Sequence, residues 1–249
     1  MFRSARAKLL VARSPRLYLT ARRARALGLY ALRRPHDPDF AAFALFPERT
    51  GLFLDVGANL GSSALSFRVF NRRSPILSIE PNPFHERDLR FVKRLIRNFD
   101  YALFAAGDVA GQATLHVPVY KGLPLTGEAS LLEPEGEPWW AHEHGLDAGA
   151  VTRTTLSVPV RPLDELELRP DFIKIDVEGA EEAVVRGLSK TIDRARPVVL
   201  AERSAGVDAV TSLLRPLGYT VHVYSPDDRR LEPYRGQTVT NLFYLPSPP

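Results

Sequence analysis

The chain has 249 residues, 45% of them hydrophobic, enough for one globular body with a sizeable core. It contains no cysteine, which excludes disulfides, thiolate metal sites and a cysteine nucleophile, and no apolar run approaches the roughly 20 residues that cross a bilayer. The formal charge of +4 is uneven: ten of the 33 Lys and Arg fall in residues 1–36, where no acid occurs, so the rest of the chain is net negative and its overall basicity is poor support for nucleic-acid binding.

Residues 1–34 mix arginine with Leu, Ala and Tyr, broken at Pro15. Two helices are expected, roughly 3–13 and 16–32, with arginines on the solvent side. Such a segment reads as a solvated arm, or as a helix packed on the body or on a second copy of the chain. It also reads as a peripheral contact with anionic lipid or nucleic acid, or as something like a transit peptide. Leu9–Ala12 is too short for a secretory signal core and is followed by Arg13. A cytoplasmic protein is the simplest expectation, with no specific nucleic-acid partner. Membrane contact through 1–34 and homo-oligomerisation stay open.

Past Pro35–Pro38, residues 39–45 read as a short helix, and residues 1–46 as a basic helical segment preceding a body at 47–249. In the body, strands alternate with helices. Expected strands are 52–56, 76–79, 101–105, 172–176, 198–201, 219–224 and 242–245; expected helices are 62–70, 84–96, 180–188 and 207–214. Alternation of this kind implies an α/β fold with a mainly parallel sheet and helices on both faces. Residues 111–161 depart from it. Short strands at 112–118, 129–132 and 151–160, broken by Gly and Pro, suggest a small β-rich insert or lid between the third and fourth core strands.

Four places carry chemistry. Residues 52–61, Leu-Phe-Leu-Asp-Val-Gly-Ala-Asn-Leu-Gly, form a buried strand that runs into a glycine loop and then a helix start, where α/β proteins hold nucleotide-like ligands. Asp55 precedes Gly57 and Gly61, and Asn59 stands where a dinucleotide loop has its middle glycine. An acid beside the loop repels phosphate and suits a cation, so the loop favours the sulfonium nucleoside S-adenosylmethionine over a dinucleotide. Glu80, at the end of the second strand, is placed to accept from both ribose hydroxyls. Asp108 follows the third strand and either accepts from an adenine amino group or starts a turn. Lys174, Asp176 and Glu178 then cluster in Ile-Lys-Ile-Asp-Val-Glu-Gly-Ala-Glu, residues 173–181, with Gly179 turning the chain into a helix. These acids could hold the ligand's ammonium, bind a divalent cation or act as a general base. In the insert, Trp139 and Trp140 could stack on a flat acceptor, while His142 and His144 could supply a base. A His-x-His pair is a weak metal signal, and no metal is expected.

These segments, in this order, resemble the FkbM family of S-adenosylmethionine-dependent methyltransferases over residues 50–246. The resemblance runs through 53–62, Ile79-Glu-Pro-Asn82, 105–111 with Leu115 and Pro118, 160–164 and 172–181. It implies a Rossmann-like sheet of seven strands, S-adenosylmethionine as cofactor, and O-methyl transfer to a hydroxyl on a small molecule or glycan. By position it implies that Asp55, Gly57, Asn59, Glu80 and Asp108 line the cofactor while Asp176 and Glu178 face the methyl. Two other readings stand beside it: a nicotinamide oxidoreductase, opposed by Asn59 and by the lack of a Tyr-x-x-x-Lys pair, and a non-catalytic scaffold that uses the basic segment, opposed by the intact acid set.

Overall fold

The computed structural model describes residues 15–133, 141, 147–203 and 207–247. Its larger sheet is built from β1 (Leu52–Val56), β2 (Ile76–Ile79), β3 (Phe99–Ala102), β8 (Pro170–Ile175), β9 (Val198–Glu202), β10 (Tyr219–Ser225), β11 (Arg230–Pro233) and β12 (Asn241–Pro246). Their spatial order is β11-β10-β12-β9-β8-β1-β2-β3. The five strands from β9 to β3 run parallel, and β12, β10 and β11 are antiparallel to their neighbours. The Rossmann-like α/β architecture stands, with eight strands rather than seven. The added strand, β11, carries Arg230, Glu232 and Pro233, a polar composition that only an exposed sheet edge accepts.

Alternation along the strands sends side chains to two cores. Leu54, Val56, Ile173 and Ile175 face α4 (Glu181–Arg186), α5 (Ser189–Ala195) and α6 (Val207–Leu214), through Val184, Ile192 and Leu214 among others. On the opposite face Phe53, Ile76, Phe172 and Phe243 meet α1 (Pro15–Ala31), α2 (Ser62–Phe70) and α3 (Glu86–Leu95). Phe43 sits at the centre of that face, edge-on to Phe53, Phe67, Phe172 and Phe243 at 5.1–6.0 Å. It comes from a 3-10 helix at Pro38–Leu45.

Residues 15–46 are therefore not a detached basic segment. Phe40, Ala42 and Phe43 are core residues, and Ala26 of α1 is buried against the same cluster. Nor do all the arginines face solvent: Arg23 pairs with Asp88 of α3 at 2.6 Å, and Arg22 lies 3.5 Å from Asn59. The expected helix at 3–13 lies outside the described residues. Among those described, no helix is long and apolar enough to cross a membrane.

The third expected strand divides. β3 ends at Ala102, and the chain crosses to a second sheet as β4 (Ala105–Ala106). That sheet continues with β5 (Gly111–Tyr120), β6 (Leu123–Pro124) and β7 (Val151–Arg161), in the order β4-β7-β5-β6. The expected strand at 129–132 does not form. Only Ser130 bridges His116, and its hydroxyl turns back to the Leu132 N–H at 3.0 Å, a local bond that competes with strand pairing.

Candidate active site

β1 lies between β2 and β8, so the chain reverses direction across the sheet there. A crevice opens beyond the carboxyl ends of these strands, where open α/β sheets bind ligands. Gly57 closes its floor. With φ +80° it turns the chain out of β1, and a Cβ there would overlap the Asp176 carbonyl oxygen, so only glycine lets the β1 and β8 loops touch.

Beneath the floor runs a row of polar side chains. Register places Asp55 beside Ser78 on one side and Lys174 on the other. Ser78 Oγ donates to Asp55 Oδ2 at 2.8 Å, and Lys174 Nζ lies 3.7 Å from Asp55 Oδ1. The same ammonium donates to the Gly57 carbonyl at 2.8 Å and pairs with Asp176 at 3.2 Å. Burial pushes the Asp55 carboxyl up, against the pull of Lys174. Burial also works against the charge of Lys174, but Asp176 and Asp55 outweigh it and hold its pKa above the ordinary lysine value. Asp176 goes the other way: burial alone would raise it, yet the charge of Lys174, 3.2 Å away, holds it low.

The glycine loop and β2 share a second device. Asn59 adopts φ +50°, a left-handed conformation that suits Asn, and its N–H donates to Glu80 Oε2 at 2.7 Å. The Asn82 N–H donates to Glu80 Oε1 at 2.9 Å. Burial pushes the Glu80 carboxyl up to about 7 against these two donors. A carboxylate has about four acceptor positions, so two remain for a ribose diol.

The turn from β8 into α4 carries Glu178 at φ +53°, strained for a non-glycine residue, followed by Gly179 at φ +104°. Buried Glu181 holds this turn by accepting from the N–H groups of Val177 (3.3 Å) and Gly179 (3.1 Å). From the insert, the Ser130 hydroxyl donates to the Glu178 carbonyl at 3.3 Å. Burial, then the nearby acids Asp176, Glu128 and Glu181, push the Glu178 carboxyl up to about 7.

The crevice encloses about 670 Å³ including the open solvent at its mouth. Gly57, Asn59, Glu80, Asp176 and Glu178 all line it, and Leu115, Thr126, Ala129 and Leu131 of the insert wall it. Asp55 and Lys174 lie buried behind that lining. Gly61 does not line it; with φ +86° it starts α2. Asp108 does not either. It is exposed in the turn between β4 and β5, which packs on Gly187 at the end of α4, so the turn reading describes its place. Trp139, Trp140, His142 and His144 lie outside the described residues. Sequence reading missed Glu202, which ends β9 beside Asp176, and the Arg22 contact at the loop. The chain offers no local pattern for either, because only strand order and helix docking bring them in.

The arrangement suits S-adenosylmethionine on the structure's own terms: acids at one end for a cationic amino-acid moiety, an oriented Glu80 for the ribose, and apolar Ala105, Ala106 and Leu115 for a base. The model of the methyltransferase FkbM domain matches residues 55–221. No curated protein matches the sequence. Among solved structures, the chain is similar to the methyltransferase FkbM of Methylobacillus flagellatus, with 16% identity and a TM-score of 0.49, over 90% of this chain and 59% of that one. It thus spans about three-fifths of that protein's length. It is similar to a TehB-like methyltransferase of Corynebacterium glutamicum (12% identity, TM-score 0.45, 91% and 95% covered). It is also similar to Aeropyrum pernix fibrillarin in complex with S-adenosylmethionine (16%, 0.43, 84% and 76%). Likenesses this distant carry no weight of their own, and the assignment rests on the family match, which spans about two-thirds of the chain and sets the nicotinamide reading aside: the chain belongs to the FkbM family of S-adenosylmethionine-dependent methyltransferases.

Proposed function

We propose that the protein transfers a methyl group to a hydroxyl oxygen of a small molecule or glycan. The observation that carries this reading is the placement of Glu178: although partly exposed, it lines the cavity beside Asp176 on a strained turn, where burial and the neighbouring acids push its carboxyl up. A hydroxyl is a weak nucleophile at neutral pH, and a base whose pKa lies near the operating pH removes its proton most effectively. When bound, S-adenosylmethionine supplies a methyl carbon on a sulfonium that departs as a neutral thioether. The chain's own residues do the rest. Glu80 and the loop at Gly57–Asn59 hold the nucleoside, the insert wall excludes water, and Glu178 takes the hydroxyl proton. Asp176, fixed by Lys174, keeps its negative charge beside that base.

Incubation with S-adenosylmethionine and a panel of phenols, sugars, amines and carboxylic acids tests the proposal by mass spectrometry. A gain of one methylene on a hydroxyl compound, with release of S-adenosylhomocysteine, is the expected result. Transfer to amines or carboxylates alone would overturn the hydroxyl assignment.

A further inference from the structure

Parallel β8 and β9 pair Ile175 with Ala201, so the next residues, Asp176 and Glu202, leave adjacent strands at the same edge of the crevice. One carboxyl oxygen from each of Asp176, Glu178 and Glu202 lies within 4.8 Å of the other two. Carboxylates this close repel one another when all are ionised, and a proton kept by one relieves the repulsion and gives it a donor toward its neighbour. Lys174, 3.2 Å from Asp176, decides which: the ion pair keeps Asp176 charged and leaves the proton on Glu202.

We infer that Glu202 serves methyl transfer as a positioning residue: as a neutral carboxylic acid it donates to Asp176, fixing that carboxylate in the crevice and leaving proton removal to Glu178. The inference rests on the hydroxyl-transfer reading and adds a residue and a protonation state to it.

The groups facing Glu202 agree. Asp176 and Glu178 stand on the β8–α4 turn and Glu181 on α4, all acidic. On its other side β12 pairs Asn241 with Glu202, and the Asn241 amide donates to Asp37 (2.8 Å) and Asp39 (2.9 Å), which brings further acid rather than a cation. The nearest cation in the row, Lys174, is engaged by Asp176, Asp55 and the Gly57 carbonyl. Next in the chain, Arg203 is exposed. Burial first, and then Asp176, push the Glu202 carboxyl up to about 9. The contribution of the neutral acid is therefore complete below that value and is lost as pH rises through it, which sets the alkaline limb above the rise expected from Glu178.

Two measurements on the full chain test this. In protein with ¹³C-labelled glutamate carboxyls, one resonance should titrate near pH 9 and vanish in Glu202→Gln; a Glu202 resonance already ionised at pH 7 overturns the inference. In turnover with the best hydroxyl acceptor from the panel, Glu202→Gln keeps a donor and should retain near-normal kcat without the alkaline fall. Glu202→Ala should lose on the order of 10-fold or more. Gln as slow as Ala, or an alkaline limb that survives in Gln, also overturns it. If the panel yields no hydroxyl product at all, the transfer reading has failed, and the titration still decides the protonation state by itself.

Discussion

Lys174→Met is expected to destabilise the fold by about 3–5 kcal/mol, the usual effect of removing one partner from a buried ion pair. Methionine keeps much of the length and apolar stem, so the loss reports charge rather than a cavity. Asp55 has no exposed surface, and without Lys174 its carboxylate would keep only the Ser78 hydroxyl at 2.8 Å. The Gly57 carbonyl would lose its donor at the floor of the crevice. Denaturant unfolding at several pH values checks this. With its counter-charge gone, the folded Asp55 carboxyl rises further above its unfolded value, so the variant takes up a proton on folding and recovers stability as pH falls. At still lower pH, below the unfolded carboxylate value, the wild type loses the stability that depressed Asp176 contributes. The gap should therefore narrow in acid. Pairing the change with Asp55→Asn should restore part of the loss. A cost below about 1 kcal/mol at neutral pH would mean that the row is not held by this lysine.

Glu178→Gln should slow turnover by about 10²–10⁴-fold while leaving S-adenosylhomocysteine affinity nearly unchanged. The amide is close in shape to the carboxyl and keeps the same φ. The turn is held independently, by Glu181 and by the Ser130 hydroxyl on the Glu178 carbonyl, so the backbone should not move. A base must be ionised to act. Wild-type kcat/KM should therefore rise with pH through about 7, the position to which burial and neighbouring acids push Glu178. That limb should be missing in the variant. An unchanged rate, or an unchanged limb, would place proton removal elsewhere.

Much of the frame was legible in the chain because its signals are local. An apolar run ending at Gly57, with Gly61 after it, marks β1 and the start of α2, and the expected bounds of β1, α2, β2 and α6 match those observed. The residues after β1, β2 and β8 meet at one crevice because parallel strands end together, so the loop glycine, Glu80, Asp176 and Glu178 could be grouped without coordinates. What escaped depends on partners distant in sequence. Ala105–Ala106 continues an apolar run yet pairs with β7 in another sheet, which carried Asp108 out of the crevice. Arg22 and Arg23 read as solvated charge until α1 docks on the loop and on α3. Residues 129–132 read as a short strand but cover the cavity instead, with Ala129 and Leu131 in its wall. Glu202 carries no local mark, since its role exists only through β8 beside it.

The central claim is that a sulfonium nucleoside occupies the crevice at the ends of β1, β2 and β8. Isothermal calorimetry of the folded protein with S-adenosylmethionine and S-adenosylhomocysteine tests it most directly. The expected result is binding of both, weakened about 10-fold or more in Glu80→Ala, which removes a buried acceptor from the ribose and from two backbone donors. No heat and no thermal stabilisation with either ligand, or wild-type affinity in Glu80→Ala, would contradict the account.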